Sequence, residues 1–177
     1  KNSFLYLPAR TSELTTEKTK LTVQHTYTPE ELTRLENSYE TYFTEFGKSA
    51  QTLVTMRDYA NLEAKYLHNI DKAISIAQEA VKIPTNEKKL TGYLKMDLGD
   101  YNLIKNEVWE ATLLYSQVDK AFKEDELGEE ARFKNAHLSF YMGDFPWSQA
   151  QLDVLKGSTS ELVANDALAL SVLMTDN

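Results

Sequence analysis

Three histidines, His25, His68 and His137, are the side chains most suited to metal binding or to general base chemistry, and they stand far apart in the chain. No His-Glu-x-x-His pair seats zinc on one helix face, no Gly-x-Ser-x-Gly elbow presents a serine, and no glycine-rich loop cradles phosphate. With no cysteine, thiolate catalysis, disulfides and thiolate zinc sites are excluded. Asp97, Asp100, Glu107 and Asp144 are the carboxylates that folding would have to bring together for paired acid and base work. The run Glu124-Asp125-Glu126 with Glu129-Glu130 lacks the alternating ligands and central glycine of a calcium loop. It reads instead as negative charge at a helix start, where the dipole favours it. Catalytic, cofactor and metal residues are therefore not assigned, and a binding protein is expected rather than an enzyme.

The bulk properties narrow the partner. Twenty-seven acidic residues against 19 Lys and Arg give a net charge of −8 over 177 residues, which disfavours nucleic acid, because phosphate binding needs excess cations. A hydrophobic share of 42% with 26% charged residues is that of a folded globular chain. No apolar run reaches the roughly 18 residues needed to span a bilayer. The start at Lys1, without Met or a signal-peptide pattern, is expected of a processed or excised piece.

The elements that must carry any site are helices. Val108, Ala111, Tyr115, Val118 and Phe122 recur at steps of three and four and predict a helix over 107–122. Thr28-Pro29-Glu30-Glu31 has the form of a capping box with proline in the first turn, opening a helix striped by Leu32, Leu35, Tyr39, Tyr42, Phe43 and Phe46 and stopped at Gly47. Further helices are expected over 49–67, 70–83, 86–104, 129–142 and 145–156, with 123–130 as an acidic connector. A last helix to about Met174 opens on the capping-box spacing Ser158-Thr159-Ser160-Glu161. It is apolar on more than one face, which calls for cover beyond one neighbour, by self-association or by further repeats. Residues 1–28 read as an irregular N-terminal segment, with Leu21, Val23 and Tyr27 alternating like a short strand. The helical-repeat domain is placed at 29–177.

Ala73, Ala111 and Ser148 fall at one equivalent point, 38 and 37 residues apart, where a small side chain lets two helices approach closely. Leu98-Gly99 followed by Ala111 and Tyr115, with the weaker sets Leu62, Tyr66, Ala73, Pro84 and Ala136, Ser148, Leu152, resembles the tetratricopeptide repeat over roughly residues 50–174. The wording from Trp109 to Tyr115 and from Gln151 to Lys156 is similar to large secreted bacterial members of that family. The resemblance implies an all-α, right-handed solenoid of about three hairpins, with an extra N-terminal helix and a final unpaired helix. It further implies a periplasmic or cell-envelope location, the cytoplasm being the alternative.

In the family, partners lie along a concave groove lined by first helices. Carried onto this chain, the groove positions are Arg57, His68, Tyr93, Met96, Asp100, His137 and Tyr141, with Leu103, Ile104, Phe133 and Phe140 as inter-repeat core. The family's clamp for a C-terminal carboxylate needs Lys, Arg and Asn where this chain has Met96, Asp100, Phe133 and His137, so that mode is not expected. Trp109 and Trp147 are expected to pack between repeats. The function implied is non-enzymatic binding of a protein or peptide without cofactor; a glycan- or small-ligand-binding envelope module is the alternative.

Overall fold

The computed structural model describes residues 6–24 and 27–175, in which nine α-helices and one short 3₁₀ turn are found and no strand. The chain falls into two compact units divided between Thr91 and Gly92.

In unit 1, α1 (Tyr6–Gln24) packs on α2 (Pro29–Phe46), a 3₁₀ turn (Ala50–Thr52) leads into α3 (Leu53–Lys65), and α4 (Ile70–Ala80) packs on α3. The irregular segment expected at 1–28 is thus corrected over residues 6–24, where Leu21 and Val23 are helical rather than strand-like. The stretch is threonine-rich, and β-branched hydroxyl residues have low helix propensity, which hid the helix. Packing overrides propensity here. Leu14 is buried, Thr11 shares a hydrogen bond of 2.8 Å with the Tyr42 hydroxyl, and Lys18 pairs with Asp58 of α3 at 2.7 Å. The threonine hydroxyls are themselves absorbed, Thr15 and Thr19 donating to carbonyls four residues back.

The capping box at α2 forms as expected. The Thr28 hydroxyl accepts from the Glu31 amide at 3.2 Å, and the Glu31 carboxylate accepts from the Thr28 amide at 2.8 Å. Gly47 ends the helix at φ 71°, a left-handed value that glycine tolerates without cost.

Unit 2 holds α5 (Lys88–Ile104) from Gly92 onward, α6 (Val108–Ala121), α7 (Glu126–Tyr141), α8 (Phe145–Leu155) and α9 (Glu161–Thr175). The acidic connector is shorter than expected, because Asp125 caps α7 by accepting from the Leu127 amide at 2.9 Å and the helix starts at Glu126. Met96, Ala111, Tyr115, Val118, Leu127 and Ala131 form one core cluster. Ala136, Leu152, Leu155, Val163, Ala167 and Leu170 form another, through which α9 packs on α7 and α8. The last helix is therefore paired, contrary to expectation. Its start is capped differently too: the Ser160 hydroxyl accepts from the Val163 amide at 3.5 Å, and the Glu129 carboxylate of α7 holds the residues just before the helix by accepting from the amides of Thr159 at 2.9 Å and Ser160 at 3.1 Å. The Ser158 hydroxyl, buried and without a hydrogen-bond partner, plays no capping part.

The repeat is deeper than three small residues. Leu35, Tyr39 and Tyr42 in α2, Ala73, Ala77 and Ala80 in α4, Ala111, Tyr115 and Val118 in α6, and Ser148, Leu152 and Leu155 in α8 are the same i, i+4, i+7 triad, and no member exceeds 1% exposure. The turns repeat as well. His68 (φ 54°), Asn106 (φ 63°) and Gly143 (φ 81°) take the left-handed conformation at one equivalent point in the α3–α4, α5–α6 and α7–α8 turns. Each is followed by a helix N-cap of nearly the same geometry, Asn69, Glu107 and Asp144, with ψ 73°, 67° and 67°. Gly99 shows why its position is glycine, since a Cβ there would stand 2.5 Å from Cε1 of Tyr115. Ser148, at the close-approach point of α8, donates its hydroxyl to the Ala136 carbonyl at 2.8 Å and so satisfies a polar group buried between helices.

Candidate functional site

The repeat geometry brings a set of polar and aromatic side chains together on α5 and α7 of unit 2. Tyr115 is fully buried on α6, yet its hydroxyl reaches through to donate to Asp100 of α5 at 2.6 Å. Lys134 of α7 donates to both oxygens of the same carboxylate, at 2.8 and 3.1 Å, and its ammonium lies 5.7 Å from the centroid of the Tyr115 ring. Burial first, and the Asp100 carboxylate second, push the Tyr115 phenol well above its ordinary value, so it stays a donor. Asp100 keeps 43% of its side chain exposed. It is held by two donors and still faces solvent, which suits a recognition contact better than proton transfer.

From the residue beside Lys134 onward, α7 presents a ladder. Phe133 and His137 stack at 5.8 Å and 13°, and Tyr141 meets His137 edge-on at 4.7 Å and 74°. Spacing of four puts the three on one face. Tyr141 is 73% exposed at the open end, while Phe133 and His137 are half-buried. Tyr93 packs against the core cluster of α5 and α6 and is likewise half-buried.

Among the residues expected to line a groove, Asp100, His137, Tyr141 and Tyr93 thus lie in unit 2 with accessible surface. Met96 does not qualify: it is 4% exposed, because its position on α5 faces Ala111 and Tyr115 rather than solvent. Arg57 and His68 belong to unit 1, Arg57 on α3 and His68 in the turn before α4, where its backbone role as the left-handed residue accounts for its place. His25 falls outside the described residues. Leu103, Phe133 and Phe140 pack against the core as expected, but Ile104 is 67% exposed. Trp109 and Trp147 are exposed at 75% and 55%, contrary to the packing role expected of them. Trp109 stands two positions before Ala111, a rotation of about 200° around the helix, and so points away from the buried triad.

Sequence reasoning missed two groups. Lys134 carries no signal in the sequence, since only the approach of α7 to α5 sets it on Asp100. In unit 1, Lys72 Nζ lies 2.6 Å from Glu36, 2.8 Å from Glu40 and 3.0 Å from Glu63, and 5.0 Å from the centroid of the Tyr59 ring. Tyr59 also donates to Glu40. Glu63 is fully buried, and neither of its oxygens has a hydrogen-bond partner, the Lys72 contact being an ion pair only. Burial accordingly raises its carboxyl above the usual range, ahead of the opposing effect of Lys72. Partial burial acts to lower the Lys72 ammonium, but the carboxylates around it win and hold it raised. The one visible hint is spacing, since Glu63 falls at the i+7 position of the buried stripe that Met56, Tyr59 and Ala60 mark on α3. With the cation seated among its partners, the cluster is a closed ion-pair network.

Among the described residues, no group of three or more His, Asp or Glu side chains is arranged to hold a metal ion, and no helix is long and apolar enough to cross a membrane. Set against protein-family models, curated proteins and solved structures, the chain matches none of them.

Proposed function

We propose that this chain is a non-enzymatic binding module built of tetratricopeptide-like hairpins, and that the α5 and α7 surface of unit 2 holds a peptide segment of a protein partner. The observation that carries this reading is the juxtaposition of the Phe133–His137–Tyr141 ladder, half-buried at Phe133 and His137 and exposed at Tyr141, with the Asp100–Lys134–Tyr115 node. An aromatic ladder offers large rigid contact area, and a half-exposed carboxylate beside it offers a hydrogen-bond acceptor for peptide amides or a cationic side chain. The repeated turn and buried triad support the hairpin reading, and resemblance to secreted members of the family supports placement in the periplasm or cell envelope.

The test is a displayed peptide library selected on the 177-residue chain, with each recovered peptide measured by fluorescence anisotropy against wild type, Tyr141→Ala and His137→Ala. Both side chains lie outside the buried core, so folding is retained and checked by circular dichroism. Binding that weakens about tenfold or more in either variant supports the surface, as loss of an aromatic anchor does elsewhere. Peptides that bind all three proteins alike reject it. A glycan array run with the same proteins separates the alternative, which exposed Tyr141 and Trp147 rings favour.

A further inference from the structure

A second surface of unit 2 lies on the outer side of α9. The inner side buries Val163, Ala167, Leu170 and Ser171. The outer side carries Leu162, Leu168, Val172 and Leu173, each between 46% and 72% exposed. Leu162, Asp166, Ala169 and Leu173 fall in one row along the helix, so that a small residue lies beneath the terminal leucine and one carboxylate interrupts the apolar row after Leu162. Small residues likewise lie among larger ones in the two core clusters of the unit, where Ala111, Ala131, Ala136 and Ala167 have no exposed surface. The row runs about 16 Å, three helical turns. At its end Leu173 and Met174, with Phe140 and Phe145, line an apolar pocket of about 500 Å³.

Charge distinguishes among occupants. Between Ser139 and Thr175 the chain carries Asp144, Asp153, Glu161 and Asp166 against Lys156 alone, and Lys156 is already paired with Asp153 at 2.7 Å. Asp166 stands within the row, between Leu162 and Ala169, and Glu161 stands at its start, while α9 holds no Lys or Arg, so a helix laid here needs a cation opposite Asp166. A second copy laid on this face would set acid against acid, whereas a basic partner would find its counter-charges in place. The Leu–Ala–Leu relief accepts the ridge of a helix, and α9 offers no unpaired strand edge to an extended chain.

We propose that the outer face of α9 docks an amphipathic helix of another protein. Its apolar stripe lies on Leu162, Ala169 and Leu173, one large apolar side chain enters the Phe140–Phe145–Leu173–Met174 pocket, and Lys or Arg residues face Asp166 and Glu161. The surface is separate from the α5 and α7 ladder and does not depend on it.

The experiment titrates the 177-residue chain into two fluorescein-labelled designed helices of about five turns with the same leucine stripe, one flanked by Lys and the other by Glu. Saturable binding of the Lys helix, at least about fivefold tighter than the Glu helix, is expected, with the preference fading as salt is raised. Asp166→Lys reverses the order of the two helices, and Ala169→Gln weakens both by filling the groove. Both substitutions sit on exposed positions, and circular dichroism checks their fold. Equal affinity for the two helices, or saturable binding of neither, overturns the proposal. So does sedimentation showing a dimer that Ala169→Gln dissociates, since the face would then belong to a second copy.

Discussion

Adding one methyl group at Gly99 probes the contact that sets Asp100 in place. A Cβ at this position would lie 2.5 Å from Cε1, 3.0 Å from Cζ and 3.1 Å from Cδ1 of Tyr115, against about 3.5–4.0 Å for comfortable carbon contacts. The ring must move by about 1 Å. Tyr115 has no exposed surface to move into, and its hydroxyl is tied to Asp100 at 2.6 Å, so the shift strains the core and stretches that hydrogen bond together. Overpacking of this kind costs about 1–3 kcal/mol, and weakening a hydrogen bond to a charged group adds about 1 kcal/mol. Replacing a mid-helix glycine by alanine returns about 1 kcal/mol. Gly99→Ala is therefore expected to destabilise by about 2 kcal/mol in urea unfolding followed by circular dichroism. The same substitution in a Tyr115→Leu background removes the clash and leaves the helix-propensity gain, so there it is expected to stabilise by about 0.5–1 kcal/mol. The reversal of sign is the signature. A Gly99→Ala protein as stable as wild type, or a loss of equal size in both backgrounds, would refute the proposed packing of Tyr115 across Gly99.

Other perturbations follow from the same contacts. Gly128→Ala places a Cβ over the backbone carbonyl of Phe122, which no side-chain rotation relieves, so its cost in urea unfolding exceeds that of Gly99→Ala and reaches about 3 kcal/mol. Lys72→Met leaves Glu36, Glu40 and fully buried Glu63 without their cation; with Lys72 30% exposed, a loss of about 2–3 kcal/mol is expected at neutral pH, shrinking in acid as the carboxylates protonate. Glu63 has its folded carboxyl raised by burial, so its favourable contribution is present below the ordinary value of 4.5 and is lost as pH rises through the folded one. Glu63→Gln is thus expected to gain stability on wild type as pH is raised above 4.5, read from urea midpoints across pH. Glu129 has the opposite sign: partial burial would raise it, but the amides and hydroxyl of Thr159 and Ser160 outweigh burial and hold it low. Its hold on the segment before α9 is complete above about pH 4.5 and is lost as pH falls through the lowered folded value, and Glu129→Gln costs about 1 kcal/mol, seen as faster amide hydrogen exchange at Thr159 and Ser160.

Much of the fold lies in local signals that the sequence states directly. Thr28-Pro29 and Glu31 name the start of α2, the step of three and four from Ala111 to Val118 names the buried face of α6, and Gly143 names the end of the α7 hairpin arm. The failures share one cause, which is that tertiary contacts decide them. Threonines between Thr11 and Thr22 have poor helix propensity, and tertiary contacts such as buried Leu14, the bond from Thr11 to Tyr42 and the pair of Lys18 with Asp58 make α1 worth forming. His68 resembles a groove ligand by type and is the left-handed residue of a turn. Met96 resembles a groove residue by position and lies instead in the core against Ala111 and Tyr115. The candidate surface was half legible: His137 and Tyr141 are marked by their spacing on α7, whereas Lys134 enters only because α7 lies against α5, a neighbour relation that no local period encodes.

The most direct test of the binding surface is a backbone amide chemical-shift map of the isotope-labelled chain titrated with a library-selected peptide. Saturable shifts concentrated on α5 and α7 around Asp100, Lys134, His137 and Tyr141 are expected, and so is their loss in Tyr141→Ala. Shifts confined to unit 1 or to α6, with α7 unmoved and Tyr141→Ala binding as wild type does, would contradict it.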